Sequence, residues 1–292
     1  MQRLPLPLLR AWLVLGSAMV ALAGCAYAPA PGTPPSSQPA PLWPDRLQSL
    51  LPADVLLLGE QHDAPDHQRL QREAVAWLSS RGQLAAVVME MAERGHSTRG
   101  LPRDASEAQA QAALQWDNAA WPWQAYGPVV MAAVGAGVPV LGGNLPRARM
   151  RAAMAETTWD RHLPAPALAE QHQALRDGHC GLLPESQIAP MARIQIARDA
   201  SMARTAQEAL RSGQTVLLVA GGGHVLRHLG VPTHWPANVV SKVVIAQVGH
   251  APAAIKSGAQ ADAVVQTPAL PPRDVCAELR EQWRPAPPGQ KV

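Results

Sequence analysis

Val55-Leu56-Leu57-Leu58-Gly59-Glu60-Gln61-His62-Asp63 decides the fold. Four apolar residues follow one another without alternation, and the run then breaks into glycine and a polar cluster. A strand apolar at successive positions is buried on both faces, which is the condition of a parallel sheet covered by helices. The pattern recurs at Ala85 to Met89, Val138 to Leu141, Thr215 to Ala220 and Val239 to Val248. Helical spacing lies between these runs. Leu70, Ala74, Trp77 and Leu78 share one face of a helix from about His67 to Ser80, which Gly82 can stop. Gly127-Pro128 can open a second helix reaching about Val134, and a third runs from about Glu185 to Arg211. The sequence therefore predicts a single α/β domain over residues 45–284. Its central sheet is mostly parallel, with flanking helices and helical insertions after the second and third strands.

In such sheets ligands bind beyond the carboxyl ends of the strands. The first four runs end there in chemistry-bearing residues: Glu60 and His62, then Glu90, then Asn144, then Gly221-Gly222-Gly223-His224. Each has a structural alternative. Glu60 could cap the next helix, Glu90 could pair with an arginine, Asn144 could serve the turn before Pro146, and His224 could be an ordinary helix-entry residue. Gly221-Gly222-Gly223 lacks the spaced glycines of a dinucleotide fingerprint. Acid and histidine placed repeatedly at strand ends favour a site.

The first 24 residues are a targeting segment. Arg3 and Arg10 precede the short apolar stretch Ala11 to Ala23, and Leu22-Ala23-Gly24-Cys25 resembles a bacterial lipobox, which implies lipidation of Cys25. Ala26 after the cysteine implies, by the same resemblance, the outer membrane. Residues 25–44 form a tether, with seven prolines after the cysteine, and contain Tyr27; residues 285–292 read as a tail. Removing Arg3 and Arg10 lowers the formal net charge from +3 to +1, so nothing points to a nucleic-acid partner. In an oxidising envelope the remaining cysteines, Cys180 and Cys276, are a plausible disulfide, with metal or haem ligation as the alternative.

Six motifs in order resemble the ChaN-type haem-binding lipoproteins of the Tiki superfamily, to which erythromycin-esterase-like enzymes are also related. They are Gly59-Glu60-Gln61-His62-Asp63, Val88-Met89-Glu90, Trp123-Gln124-Ala125-Tyr126-Gly127-Pro128, Asn144-Leu145-Pro146-Arg147, Arg198-Asp199-Ala200-Ser201-Met202-Ala203 and Gly221-Gly222-Gly223-His224. The resemblance covers about residues 50–280. It implies an outer-membrane lipoprotein of the cell envelope that binds haem between the subunits of a homodimer, in haem or iron acquisition with a transporter. One departure stands at Gly222-Gly223, where family members often read Gly-Asn.

Haem iron accepts imidazole, thiolate, thioether or phenolate. Tyr126 is the only tyrosine outside the tether, and it immediately precedes the expected start of the second helix. It is an iron candidate beside His62 and His224, with core packing against Trp121 and Trp123 as its alternative. His96 and His179 are weaker candidates. Glu60, Glu90, Asn144 and Arg198 complete the expected haem-binding set. Arg198 shares a helical face with Met191, Gln195 and Met202, and could meet a propionate or pair with Glu60 or Glu90. The rival is a hydrolase, using a divalent metal or acid–base groups alone, built on Glu60, His62, Glu90 and His224. No adjacent nucleophile and no His-Glu-x-x-His signature stand out in its favour. A third reading is a scaffold whose ancestral site is a relic.

Overall fold

The computed structural model describes residues 42–249 and 260–283. The expected signal segment, Cys25, Tyr27, almost all of the expected tether and nearly all of the expected tail lie outside these residues. The chain opens with α1 (Trp43–Leu50) and continues through β1 (Val55–Glu60), α2 (Pro65–Ser80) and β2 (Leu84–Glu93). Two helices, α3 (Glu107–Leu114) and α4 (Trp123–Ala136), then lead to β3 (Val140–Asn144). Next come α5 (Arg147–Ala155), α6 (Ala165–Gly178) and the long α7 (Glu185–Glu208), followed by β4 (Thr215–Gly221) and the single turn α8 (Gly222–Val225). The described chain closes with β5 (Ser241–Val248), β6 (Ala263–Thr267) and α9 (Val275–Gln282).

All the ladders are parallel, in the order β3-β2-β4-β1-β5-β6. The four strands with polar ends are therefore neighbours, and the chain delivers those ends to one rim. Every residue of β1 and β4 is buried, as the unbroken apolar runs require. Alternate side chains serve the two faces. Leu56, Leu58, Val87, Met89, Leu217 and Val219 pack with α2 and α4, whereas Val55, Leu57, Val88, Val216 and Leu218 pack with α7. Burying one such side chain stabilises the fold by about 1.5–3 kcal/mol. The sheet is thus a rigid floor with a helical layer on each side.

Several boundaries differ from expectation. The helix carrying Tyr126 begins at Trp123, not at Gly127, so Tyr126 sits in its first turns and Pro128 inside it. A proline there deletes only one early hydrogen bond, and the short connection behind Pro122 starts the helix sooner. The polar ends of β2 and β3 are also still strand: Glu90 and Asn144 lie within the ladders. Gly142 explains part of this, since a Cβ there would collide with the Glu93 carbonyl, and only glycine admits so close a backbone. The sixth strand, β6, carries little sequence signal because Ala263–Thr267 is short and lies on the sheet edge.

Cys180, beyond α6, is joined to Cys276 in α9, with Cα atoms 5.6 Å apart and a sequence separation of 96. Closing so long a loop restricts the unfolded chain and stabilises by about 2–4 kcal/mol. Cys276→Ser is expected to lower the denaturation free energy by about that amount, read from urea melts of both proteins without reductant. Melts that coincide would show that the bridge contributes nothing. Among the described residues no helix is long and apolar enough to cross a membrane.

Candidate functional site

At the rim, β1 delivers Glu60, which is 5% exposed. A buried carboxylate is costly unless its oxygens receive hydrogen bonds, and here each does. One oxygen receives the Tyr126 hydroxyl at 2.6 Å and His62 Nδ1 at 2.7 Å; the other accepts from the Gln68 amide at 2.9 Å and from Gln71. Both glutamines come from α2, placed there by helical spacing. Glu60 therefore organises α2, α4 and the turn after β1 together.

The neighbouring strand delivers Glu90, 1% exposed. Arg198 of α7 donates to it at 2.5 Å, and the Gly221 amide at the end of β4 donates at 2.7 Å. His224 Nε2 stands 3.5 Å from one oxygen and His62 Nε2 3.9 Å from the other. Burial pushes the Glu90 carboxyl up, but His224, Arg198 and His62 outweigh it and hold the carboxyl below its usual range. The Arg198 Nε also donates to Asn144 Oδ1 at 2.9 Å, and the Asn144 amide donates to the Glu90 carbonyl at 2.8 Å. Four elements are thereby tied to one carboxylate.

His224 closes the set from the other side, its Nδ1 2.6 Å from Asp199. Burial works against the imidazolium, but Glu90 and Asp199 prevail and raise the pKa above its ordinary value. A histidine with a raised folded pKa contributes stability below its unfolded pKa of about 6.5, and that contribution is lost as pH rises through the folded value. His224→Gln is expected to narrow its stability gap from the parent protein as pH rises above about 6.5. Thermal melts from pH 6 to 9 check this, and a gap that widened with pH would contradict the assignment.

Sequence and structure now separate. All seven expected binding residues do gather at one rim, but they are not equally presented. Glu60, Glu90, Asn144 and Arg198 satisfy each other or their neighbours and are turned inward, so Arg198 is unavailable to a propionate. His224 has a side chain only 12% exposed and lies behind Glu90. Tyr126 is 1% exposed and spends its hydroxyl on Glu60. Burial and the adjacent carboxylate drive its pKa far above the ordinary phenol value, so the phenolate that iron requires is disfavoured. In this geometry Tyr126, which lines the same cleft as His62, acts as a neutral donor to Glu60.

His62 differs. Its side chain is 39% exposed, its Nδ1 is held by Glu60, and its Nε2 makes no hydrogen bond among the described residues. Its ring meets Trp121 edge-on, with centroids 4.8 Å apart. Burial lowers its basicity, but the Glu60 hydrogen bond and the Glu90 charge more than compensate and raise the pKa. A carboxylate on one ring nitrogen is the arrangement that orients a histidine ligand and raises its donor strength. Gly221 makes room for it: a Cβ there would stand 2.9 Å from His62 Nε2.

His62 borders a cleft of about 680 Å³ between α2 and α4. Trp121, Pro122, Ala125 and Pro128 supply one wall, and Pro65, Arg69 and Arg72 the other. The aromatic side is rigid: Trp116 and Trp123 pack edge-on at 5.1 Å, and the Trp116 indole donates to the Trp121 carbonyl at 2.8 Å. Arg69 is paired with Asp66 and Glu73, whereas Arg72 pairs with no carboxylate among the described residues. Neither arginine was expected. Their signal was available, because positions 65, 68, 69 and 72 form the face of α2 opposite the core stripe through Leu70, Ala74 and Leu78.

His96 and His179 stand away from this cleft. Among the described residues no group of three or more His, Cys, Asp or Glu side chains is disposed to hold a metal ion. Cys180 and Cys276 are spent in the disulfide. The divalent-metal form of the hydrolase reading therefore has no support.

No curated protein matches the chain. Among solved structures it is similar to ChaN of Campylobacter jejuni, reported with cofacial heme binding: 24% identical, covering 75% of this chain and 89% of that one, with a TM-score of 0.59. This likeness is one of fold. The type III effector HopBA1 and a Bacillus cereus protein, 12% and 13% identical, reach TM-scores of only 0.36 and bear on neither fold nor site. The family model described as haem-binding uptake, Tiki superfamily, ChaN matches residues 46–234, which takes in the whole rim from Glu60 to His224. The chain belongs to the ChaN family of haem-binding uptake proteins, in the Tiki superfamily.

Proposed function

We propose that the chain is a haem-binding lipoprotein that holds haem in the cleft between α2 and α4, with His62 as the iron ligand. The observation that carries this is the pairing of a half-exposed, carboxylate-anchored imidazole with a cleft of about 680 Å³ walled by Trp121, Pro122 and Pro128. A planar, largely apolar macrocycle suits such walls, and pockets of this size are ordinary for cofactors. When bound, haem would supply an iron centre able to accept an imidazole, which His62 would provide. The chain's own residues do the rest. Glu60 fixes the His62 ring, Trp121 and the prolines exclude water from one face, and Arg72 stands where a carboxylate of the ligand can pair with guanidinium.

Anchoring to the outer membrane through a lipidated Cys25, dimerisation around haem and delivery to an iron transporter belong to the same proposal. They are supported by Leu22-Ala23-Gly24-Cys25, by the proline-rich segment after it and by family membership. The test is titration of purified, tag-free protein with haemin, read at the Soret band and by tryptophan quenching. A saturable shift is expected, with affinity reduced about tenfold in Trp121→Ala, the scale of losing about 1.4 kcal/mol of aromatic contact. Absence of a saturable shift would sink the proposal.

A second reading keeps the rim as acid–base machinery without metal. Its specific support is the convergence of two carboxylate–histidine pairs, Glu60–His62 and Asp199–His224, on the single carboxylate of Glu90. Turnover in an esterase and peptidase panel that disappears in Glu60→Gln would favour it.

A further inference from the structure

The other helical layer carries a second and larger cleft, of about 930 Å³, that shares no lining residue with the first. It lies along α7, between that helix, the loop after β2 and the start of α5. Its charge is unbalanced. Arg94 is paired with Glu208 at 2.6 Å, but Arg99, Arg149 and Arg204 line the same cleft with no carboxylate partner among the described residues. Three different elements supply these guanidinium groups, so the concentration of charge is a product of the fold and not of one basic run in the sequence.

The floor carries an independent sign. Ser201 lies one helical turn before Arg204, is 8% exposed, and its hydroxyl has no hydrogen-bond partner among the described residues. A buried hydroxyl left unpaired is costly, and native structures seldom leave one without a reason. Ala197 and Ala200 beside it are small, and all three residues line the cleft. Guanidinium groups pair bidentately with phosphate and carboxylate alike. Three of them around an unsatisfied donor match a ligand bearing more than one anionic group. Leu141, Leu145 and the half-buried Trp159 give the cleft an apolar portion as well, which a bare inorganic ion would not use.

We propose that this cleft is a binding site for a small, multiply charged organic anion, of phosphate-ester or polycarboxylate chemistry, held by Arg99, Arg149 and Arg204 with Ser201 donating to it. Isothermal titration calorimetry of the full chain with pyrophosphate and with citrate tests this at low and at moderate salt. Saturable binding of at least one probe is expected, weakened at least tenfold in the double variant Arg149→Gln/Arg204→Gln and severalfold in Ser201→Ala, with haemin titration unchanged in all. Preference for pyrophosphate assigns phosphate chemistry, and preference for citrate assigns carboxylate chemistry. No saturable heat with either probe, or equal binding by parent and double variant, would overturn the site. So would competition between haemin and the bound probe, because the cleft would then be part of the haem site.

Discussion

Glu90→Ala is expected to cost about 3–5 kcal/mol of folding stability, the range observed when one partner of a buried ion pair is removed. The loss comes chiefly from what remains. Arg198, with only 16% of its side chain exposed, would keep its charge and its link to Asn144 but lose its counter-charge. The Gly221 amide would lose its acceptor, and protonated His224 would face only Asp199. Glu90→Gln separates charge from shape. It retains an oxygen for Gly221 but offers Arg198 no negative charge, and should recover only part of the stability. Urea unfolding of the three proteins measures both steps. A Glu90→Ala protein within about 1 kcal/mol of the parent would show that the network is held by packing alone.

The second large effect is on ligand binding. His62→Ala is expected to lower haemin affinity by two orders of magnitude or more, while changing stability little. A metal-oriented imidazole is worth at least this much, since disturbing only its carboxylate support typically costs 10–100-fold. Stability should hold because His62 is the exposed member of the rim, and Glu60 would still receive Tyr126, Gln68 and Gln71. His224→Ala should do the reverse, with a clear stability loss and haemin affinity changed less than threefold, because His224 lies behind Glu90 and outside the cleft. The pair of variants therefore distinguishes a ligand from a buttress. Equal losses of affinity would place both imidazoles on the haem.

The contrast between these two histidines also marks how far the sequence could be read. The unbroken run Val55 to Leu58 announced a strand buried on both faces, and its repeats gave five of the six strands and their parallel sense. Because a parallel sheet aligns its carboxyl ends, the sequence alone assigns Glu60, His62, Glu90, Asn144 and His224 to one rim. What the sequence concealed was orientation. Whether a strand-end carboxylate faces a ligand or the interior depends on which helices lie over it, and those contacts are long-range. Tyr126 and Glu60 are 66 residues apart, Glu90 and Arg198 108. The same limit hid Arg69 and Arg72, whose helical face is read easily as solvated until α4 is seen opposite. It hid β6 for another reason: an edge strand of only five residues carries little periodic signal.

The Tyr126 assignment shows the effect of burial most sharply. Counting residue types left one phenol as the available phenolate. The fold instead uses it as a neutral donor that helps satisfy Glu60, and in that role its hydroxyl must keep its proton. Tyr126→Phe should therefore disturb the carboxylate more than the ligand.

The most direct measurement is resonance Raman and electron paramagnetic resonance spectroscopy of the haem-loaded protein, compared with His62→Ala and Tyr126→Phe. Imidazole ligation in the parent protein, retained in Tyr126→Phe and lost in His62→Ala, is the expected result. A phenolate signature in the parent that disappears in Tyr126→Phe while surviving His62→Ala would contradict it.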